Sequence, residues 1–148
     1  MLRDWQEPPE LREAFEKLKN ETNCRLGKAG REKGKHAEQR VLQAVHELTK
    51  SVTWMNSTRR STSQEDTQSI DVVLETNIGM LFVQVKSSRT GARHFRRKRR
   101  RAHTVVVVIE PEMSDTKIRA KVHGALGFLR RNILENRRKT QSRKGARR

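Results

Sequence analysis

Apolar residues at Ala37, Val41, Ala44, Val45 and Leu48 fall three and four apart, the stripe of a helix that starts near Lys35. A second stripe, Ile118, Val122, Leu126, Leu129 and Ile133, follows Ser114-Asp115, a helix-capping pair. Between them the pattern changes period. Ser69 to Glu75 and Met80 to Ser87 read as two strands around the turn Thr76-Asn77-Ile78-Gly79. Thr104 to Ile109 is a run of β-branched residues without polar alternation, the pattern of a strand covered on both faces, and Pro111 stops it. Val52-Thr53-Trp54-Met55 reads as a shorter strand, and Asn56 to Gln68 as a long polar loop.

At the ends the pattern weakens. Pro8-Pro9-Glu10 followed by Leu11, Ala14, Phe15 and Leu18 predicts a short amphipathic helix with proline at its first turn. Asn20 to Gly34, broken by Gly27, Gly30 and Gly34, reads as a flexible basic linker. From Arg137 to Arg148 the chain has basic residues and no acid, which predicts a disordered tail. The expected organisation is an appended helix and linker over residues 1–33, one domain over 34–136 and a basic tail over 137–148. The order helix, strands, basic segment, strand, helix predicts an α/β fold with a mixed sheet of about four strands flanked by helices.

Charge alters this picture most. Lys and Arg number 34 against 17 Asp and Glu in 148 residues, a formal charge of +17. Such a chain repels itself and suits a polyanionic partner. No apolar run approaches the ~20 residues of a membrane-spanning helix, and Met1 to Trp5 does not open a secretory signal. The single cysteine, Cys24, excludes an internal disulfide and a Cys-based zinc cluster. The expected setting is intracellular, cytoplasmic or nucleoid-associated. Five histidines lack zinc-ligand spacing, and no glycine-rich phosphate loop points to a nucleotide cofactor. Two Trp, four Phe and no Tyr are few for base stacking, and Trp54 reads as core.

The candidate chemistry lies on the two central strands. Asp71 opens Asp71-Val72-Val73-Leu74, and Gln84-Val85-Lys86 ends the next apolar run. A hairpin brings these ends together, and Gln84 and Lys86 share a face. A carboxylate, an amide oxygen and the Val85 carbonyl are hard ligands for Mg²⁺, with Mn²⁺ as a substitute. The Lys86 ammonium would stand beside an attacking water. Glu38, at the edge of the first helix's buried stripe, is the candidate second carboxylate. Glu75, Glu65 and Asp66 rank below these, because loop acids beside so much arginine more often form ion pairs. Lys35 and the row Arg89, Arg93, Arg96, Arg97, Lys98, Arg99, Arg100 and Arg101 are the candidate nucleic-acid contacts, the row standing directly after Lys86 and so expected beside a scissile phosphate.

Three segments taken together, Gly34 to Val41, Ser69 to Val73 and Phe82 to Ser88, resemble the PD-(D/E)XK nuclease superfamily of restriction-endonuclease-like fold. The chain is similar to its small stand-alone members, such as archaeal Holliday-junction resolvases and homing endonucleases of this fold. The resemblance spans roughly Gly34 to Ile109. It implies a helix bearing Glu38, a strand bearing Asp71 and a strand bearing Gln84-x-Lys86. It further implies a Mg²⁺-dependent endonuclease acting on duplex or branched DNA as a homodimer, with the helix stripe after Ser114 and the N-terminal helix as available dimer surfaces. Gln84 stands where the pattern has an acid, and Ile70 where a proline often precedes the Asp. A neutral amide binds Mg²⁺ more weakly, so Glu38 and Asp71 carry more of the load. The competing expectation is a non-catalytic basic DNA- or RNA-binding protein, which accounts for the charge but not for the spaced polar set.

Overall fold

The computed structural model describes residues 9–98 and 102–145, arranged as four helices and four strands. The elements are α1 (Pro9–Thr49), β1 (Met55–Arg60), α2 (Ser63–Thr67), β2 (Val72–Thr76), β3 (Gly79–Lys86), α3 (Arg89–Lys98), β4 (Thr104–Val108) and α4 (Asp115–Gly145). Two compact units divide the chain, residues 1–33 and 34–148. In the first, the described residues are all helical, with Leu11, Phe15, Leu18 and Leu26 exposed. The expected linker from Asn20 to Gly34 is therefore absent. Each helical glycine costs about 1 kcal/mol relative to alanine, but the Lys, Ala, Arg and Glu residues between them are good helix formers.

The second unit is an α/β fold. Its sheet is mixed, in the order β1-β2-β3-β4, with both β1–β2 and β2–β3 antiparallel and β3–β4 parallel. The β2–β3 hairpin turns where the polar residues predict it. Gly79 takes φ 118°, and Thr76 Oγ1 both donates to the Gly79 carbonyl at 2.6 Å and accepts from Ile78 N at 3.2 Å. A parallel neighbour needs a crossover, which the basic segment supplies as α3.

Val72 and Leu74 of β2, Leu81, Val83 and Val85 of β3, and Val107 of β4 form one core with Ala37, Val41, Ala44, Val45 and Leu48 of α1 and Ile118, Val122, Leu126 and Ile133 of α4. Both long helices thus cover one face of the sheet. Ser114 caps α4, its Oγ accepting from Lys117 N at 3.2 Å. Trp54 is half-buried against the core beneath the Arg130 guanidinium, 5.2 Å from the ring centroid.

Other expectations are corrected. The first strand is Met55–Arg60, while Val52 to Trp54 form a turn in which Val52 N donates to the Leu48 carbonyl at 2.8 Å. Pairing with β2 decides this, since β1 buries only Met55 and is otherwise polar. The expected long loop holds α2, whose capping box joins the Thr62 hydroxyl to Glu65 N and the Glu65 carboxylate to Thr62 N. β4 is an edge strand, covered as expected on both faces, by α4 and by α3, with Val107 and Val108 buried and Thr104 to Val106 half-buried. The C-terminal segment is helical through Gly145 rather than disordered, because Arg, Lys and Gln favour helix and no proline interrupts them.

Candidate active site

Asp71 stands at the entrance to β2 and is only 7% exposed. Its backbone is held on both sides, N donating to the Val83 carbonyl at 3.0 Å and the carbonyl accepting from Ser61 N at 3.1 Å. Its side chain continues the sheet beyond the end of the strand, Oδ2 accepting from Val85 N at 2.6 Å. The carboxylate thus replaces a missing strand residue opposite Val85. Among the described residues nothing else bonds to it.

On the neighbouring strand the residues alternate. Val83 and Val85 enter the core, and Gln84 and Lys86 take the opposite face. Gln84 is 5% exposed, and its Oε1 is fully buried with no hydrogen-bond partner among the described residues. An unmatched buried acceptor costs about 1–3 kcal/mol, so this position is held at a cost to stability. The Val85 carbonyl points to the same side of β3 as its N–H, toward Asp71, whereas the Lys86 carbonyl faces β4 and accepts from Ile109 N at 2.9 Å. Lys86 Nζ lies over the Phe95 ring, 5.1 Å from its centroid, a cation–π contact that steadies the ammonium.

Glu38 is half-buried on α1. Electrostatics tie it to the strand residues. Burial is the largest influence on Asp71 and pushes its carboxyl up to about 6; the Val85 amide opposes this, Glu38 adds to it, and Lys86 opposes it again. Burial and then Asp66 raise Glu38, against Arg60, Lys35 and Lys86. Glu38, Asp71 and Lys86 therefore influence one another electrostatically, and Gln84, with its buried oxygen, lies on the same strand as Lys86.

Two further residues bear on these carboxyls. Asp66, on α2, raises both carboxyls, and Arg60, at the end of β1, lowers Glu38 while donating to Gln39 Oε1 at 2.5 Å. Neither has a sequence signal of its own, since α2 and the end of β1 lay in the expected loop. Glu65 is the ion pair expected of a loop acid. Arg59 grips both its oxygens at 2.7 Å, and this hydrogen bonding holds its carboxyl down at about 2. Glu75 is exposed further along β2 and accepts from Ser57 Oγ at 3.0 Å.

The basic row divides. Arg89, Arg93, Arg96 and Arg97 lie on α3 beside β4 rather than with the carboxylates, whose leading cations are Arg60, Lys35 and Lys86. Helical periodicity turns these arginines to one side of α3, while Phe95 faces Lys86. Arg99, Arg100 and Arg101 lie outside the described residues, as does the side chain of Lys98.

Among the described residues no three His, Cys, Asp or Glu side chains cluster as a metal-ligand group. The donors at this site are instead two carboxylates, one unmatched amide oxygen and one main-chain carbonyl, all hard oxygens suited to Mg²⁺ and none suited to a thiophilic metal. The residues present fit such an ion. No described helix is long and apolar enough to cross a membrane. Compared with protein-family models, curated proteins and solved structures, the chain matches none.

Proposed function

We propose that this protein is a Mg²⁺-dependent endodeoxyribonuclease of PD-(D/E)XK type, hydrolysing phosphodiester bonds in duplex or branched DNA on a restriction-endonuclease-like core. One observation carries the reading: an unmatched, buried Gln84 oxygen stands beside a buried Asp71 whose carboxylate takes a strand amide, with Glu38 and Lys86 acting on it. A solvated strand end would leave no orphaned oxygen and no carboxyl raised by burial.

Glu38, Asp71, Gln84 and the Val85 carbonyl would hold the ion, with Mn²⁺ able to replace Mg²⁺. When bound, it supplies Lewis acidity to a phosphate oxygen. Asp71 must be ionised to serve, which its neighbour Lys86 favours. The Lys86 ammonium, steadied over Phe95, orients water toward phosphorus and offsets charge as it builds on the phosphate oxygens. One P–O bond forms to that water and one to the departing sugar oxygen breaks; the protons released by water pass to that oxygen and to solvent. Two cuts require two copies. The α4 stripe is consumed in the core of its own chain, so a homodimer would draw on exposed apolar residues such as Leu11, Phe15 and Leu18 of the first unit, or Phe128 on the outer side of α4.

The second reading, a non-catalytic binder of DNA or RNA, draws support from the separation of the α3 arginines from the carboxylates. Incubation with supercoiled plasmid and with a four-way junction, in Mg²⁺, Mn²⁺ or EDTA, separates the two. Metal-dependent nicking by the native chain, lost in both Asp71→Asn and Lys86→Ala, is the expected result. Binding without cleavage in every metal favours the second reading.

A further inference from the structure

The two sides of α3 face different surroundings. A Cβ on Gly91 would meet Ser88 Oγ at 3.1 Å and Lys86 Cδ at 3.9 Å, and Phe95 underlies Lys86 Nζ, so this side closes on the candidate site. Arg89, Arg93, Arg96 and Arg97 recur at the spacing of another face. With Lys121 of α4 they wall a cleft of about 670 Å³ along β4, floored by Ala92, Val106 and Val108. No acid lines it, and among the described residues none of the five cations is in an ion pair. Five unneutralised cations around one concavity repel each other and raise the local concentration of anions.

The strand edge decides which polyanion fits. The His103 carbonyl accepts from Phe82 N and Ile109 N donates to the Lys86 carbonyl, so odd-numbered residues of β4 face β3 and even-numbered ones face outward. Both outward carbonyls near the cleft are already engaged, that of Val106 by Arg96 Nη2 at 3.5 Å and that of Val108 by Lys121 Nζ at 2.7 Å. An acidic peptide adding as a strand would therefore find the acceptors it needs occupied. Phosphate oxygens need none. They take donors only, and guanidinium groups supply these in the paired geometry that phosphate accepts.

We infer that this cleft binds the sugar-phosphate backbone of a nucleic acid, at a place separated by α3 from the carboxylate site. Binding here does not depend on hydrolysis. It gives the protein a grip on its polyanion that persists without metal, and leaves Lys35, Arg60 and Lys86 as the cations beside the carboxylates.

The test is titration of the full chain into a labelled duplex of about 20 base pairs in EDTA, over a range of KCl concentrations. Each phosphate contact contributes ~0.9 to the slope of log affinity against log salt, so Arg89→Gln/Arg93→Gln is expected to lower that slope by about 1.8. Both side chains are exposed, and the urea midpoint of the double variant is expected to match that of the native chain. Lys17→Gln/Lys19→Gln, which removes equal charge from the first unit, is expected to keep the native slope. An unchanged slope in the α3 variant, or an equal loss in the control, overturns the assignment. So does displacement of the duplex by polyglutamate as effectively, charge for charge, as by unlabelled DNA. Cleavage in Mg²⁺ is read separately. A chain that never cleaves but loses slope in the α3 variant overturns the hydrolytic reading alone, and one that cleaves with an unaltered slope overturns the cleft alone.

Discussion

The two faces of the β2–β3 hairpin are built from alternate residues of the same strands, yet they obey different rules. On the face under α1 and α4, Val72, Leu74, Leu81, Val83 and Val85 are buried among apolar partners. One residue along, on the face under α3, Asp71 and Gln84 are as deeply buried, but one carries a charge and the other an unmatched acceptor. The first face accounts for stability. On the second, Asp71 and Gln84 are held at a cost to it.

The largest contrast is between deletions. Leu74→Ala removes a fully buried side chain from the apolar face and is expected to cost about 2–5 kcal/mol, read from the urea midpoint. Asp71→Asn, on the other face, is expected to do the reverse at neutral pH. The folded state raises this carboxyl from 3.8 to about 6, so the native chain binds the extra proton more tightly than the unfolded chain. Stability associated with Asp71 is then full below pH ~4 and declines as pH rises through about 6. Asparagine keeps an acceptor for Val85 N and has no charge to desolvate. It should therefore exceed the native chain by on the order of 2 kcal/mol at pH 7 and lose that margin near pH 4. Equal stability of the two at both pH values would remove the distinction between the faces.

A smaller effect sharpens it. Gln84→Met keeps the length of the side chain and removes the orphaned oxygen, so a gain of about 1 kcal/mol is expected in urea denaturation, with loss of metal-dependent cleavage. The smallest effect is ligand stabilisation. Mg²⁺ at several times its Kd is expected to raise stability by about 1 kcal/mol in the native chain, less at pH 5 than at pH 7, and not at all in Asp71→Asn. Gln84→Glu should enlarge the response to Mg²⁺ while lowering stability in EDTA. A Tm indifferent to Mg²⁺ in both the native chain and Gln84→Glu counts against an ion at this site.

Much of this site was legible because strand alternation is a local property. Once Gln84 and Lys86 are two apart on a strand, their common face follows. The α1 stripe placed Glu38 at a boundary, and the hairpin residues placed Asp71 near Gln84. What stayed hidden had no periodic signature. Asp66 reaches the site because Thr62 and Glu65 cap a short helix inside a polar stretch, and Arg60 reaches it because β1 pairs later than its apolar residues suggest.

The alternation of apolar and polar positions, the surplus of cations and the order of elements are written into the chain, because each depends on neighbours a few residues apart. Sequence proximity did not decide which residues share an environment. Arg93 is seven residues from Lys86 and turns to the far side of α3, whereas Glu38 is thirty-three residues from Asp71 and bears on its charge. A helix redirects its side chains by about 100° per residue, and a sheet joins strands distant along the chain. Only the packing of one on the other could set the cationic cleft apart from the buried carboxylates.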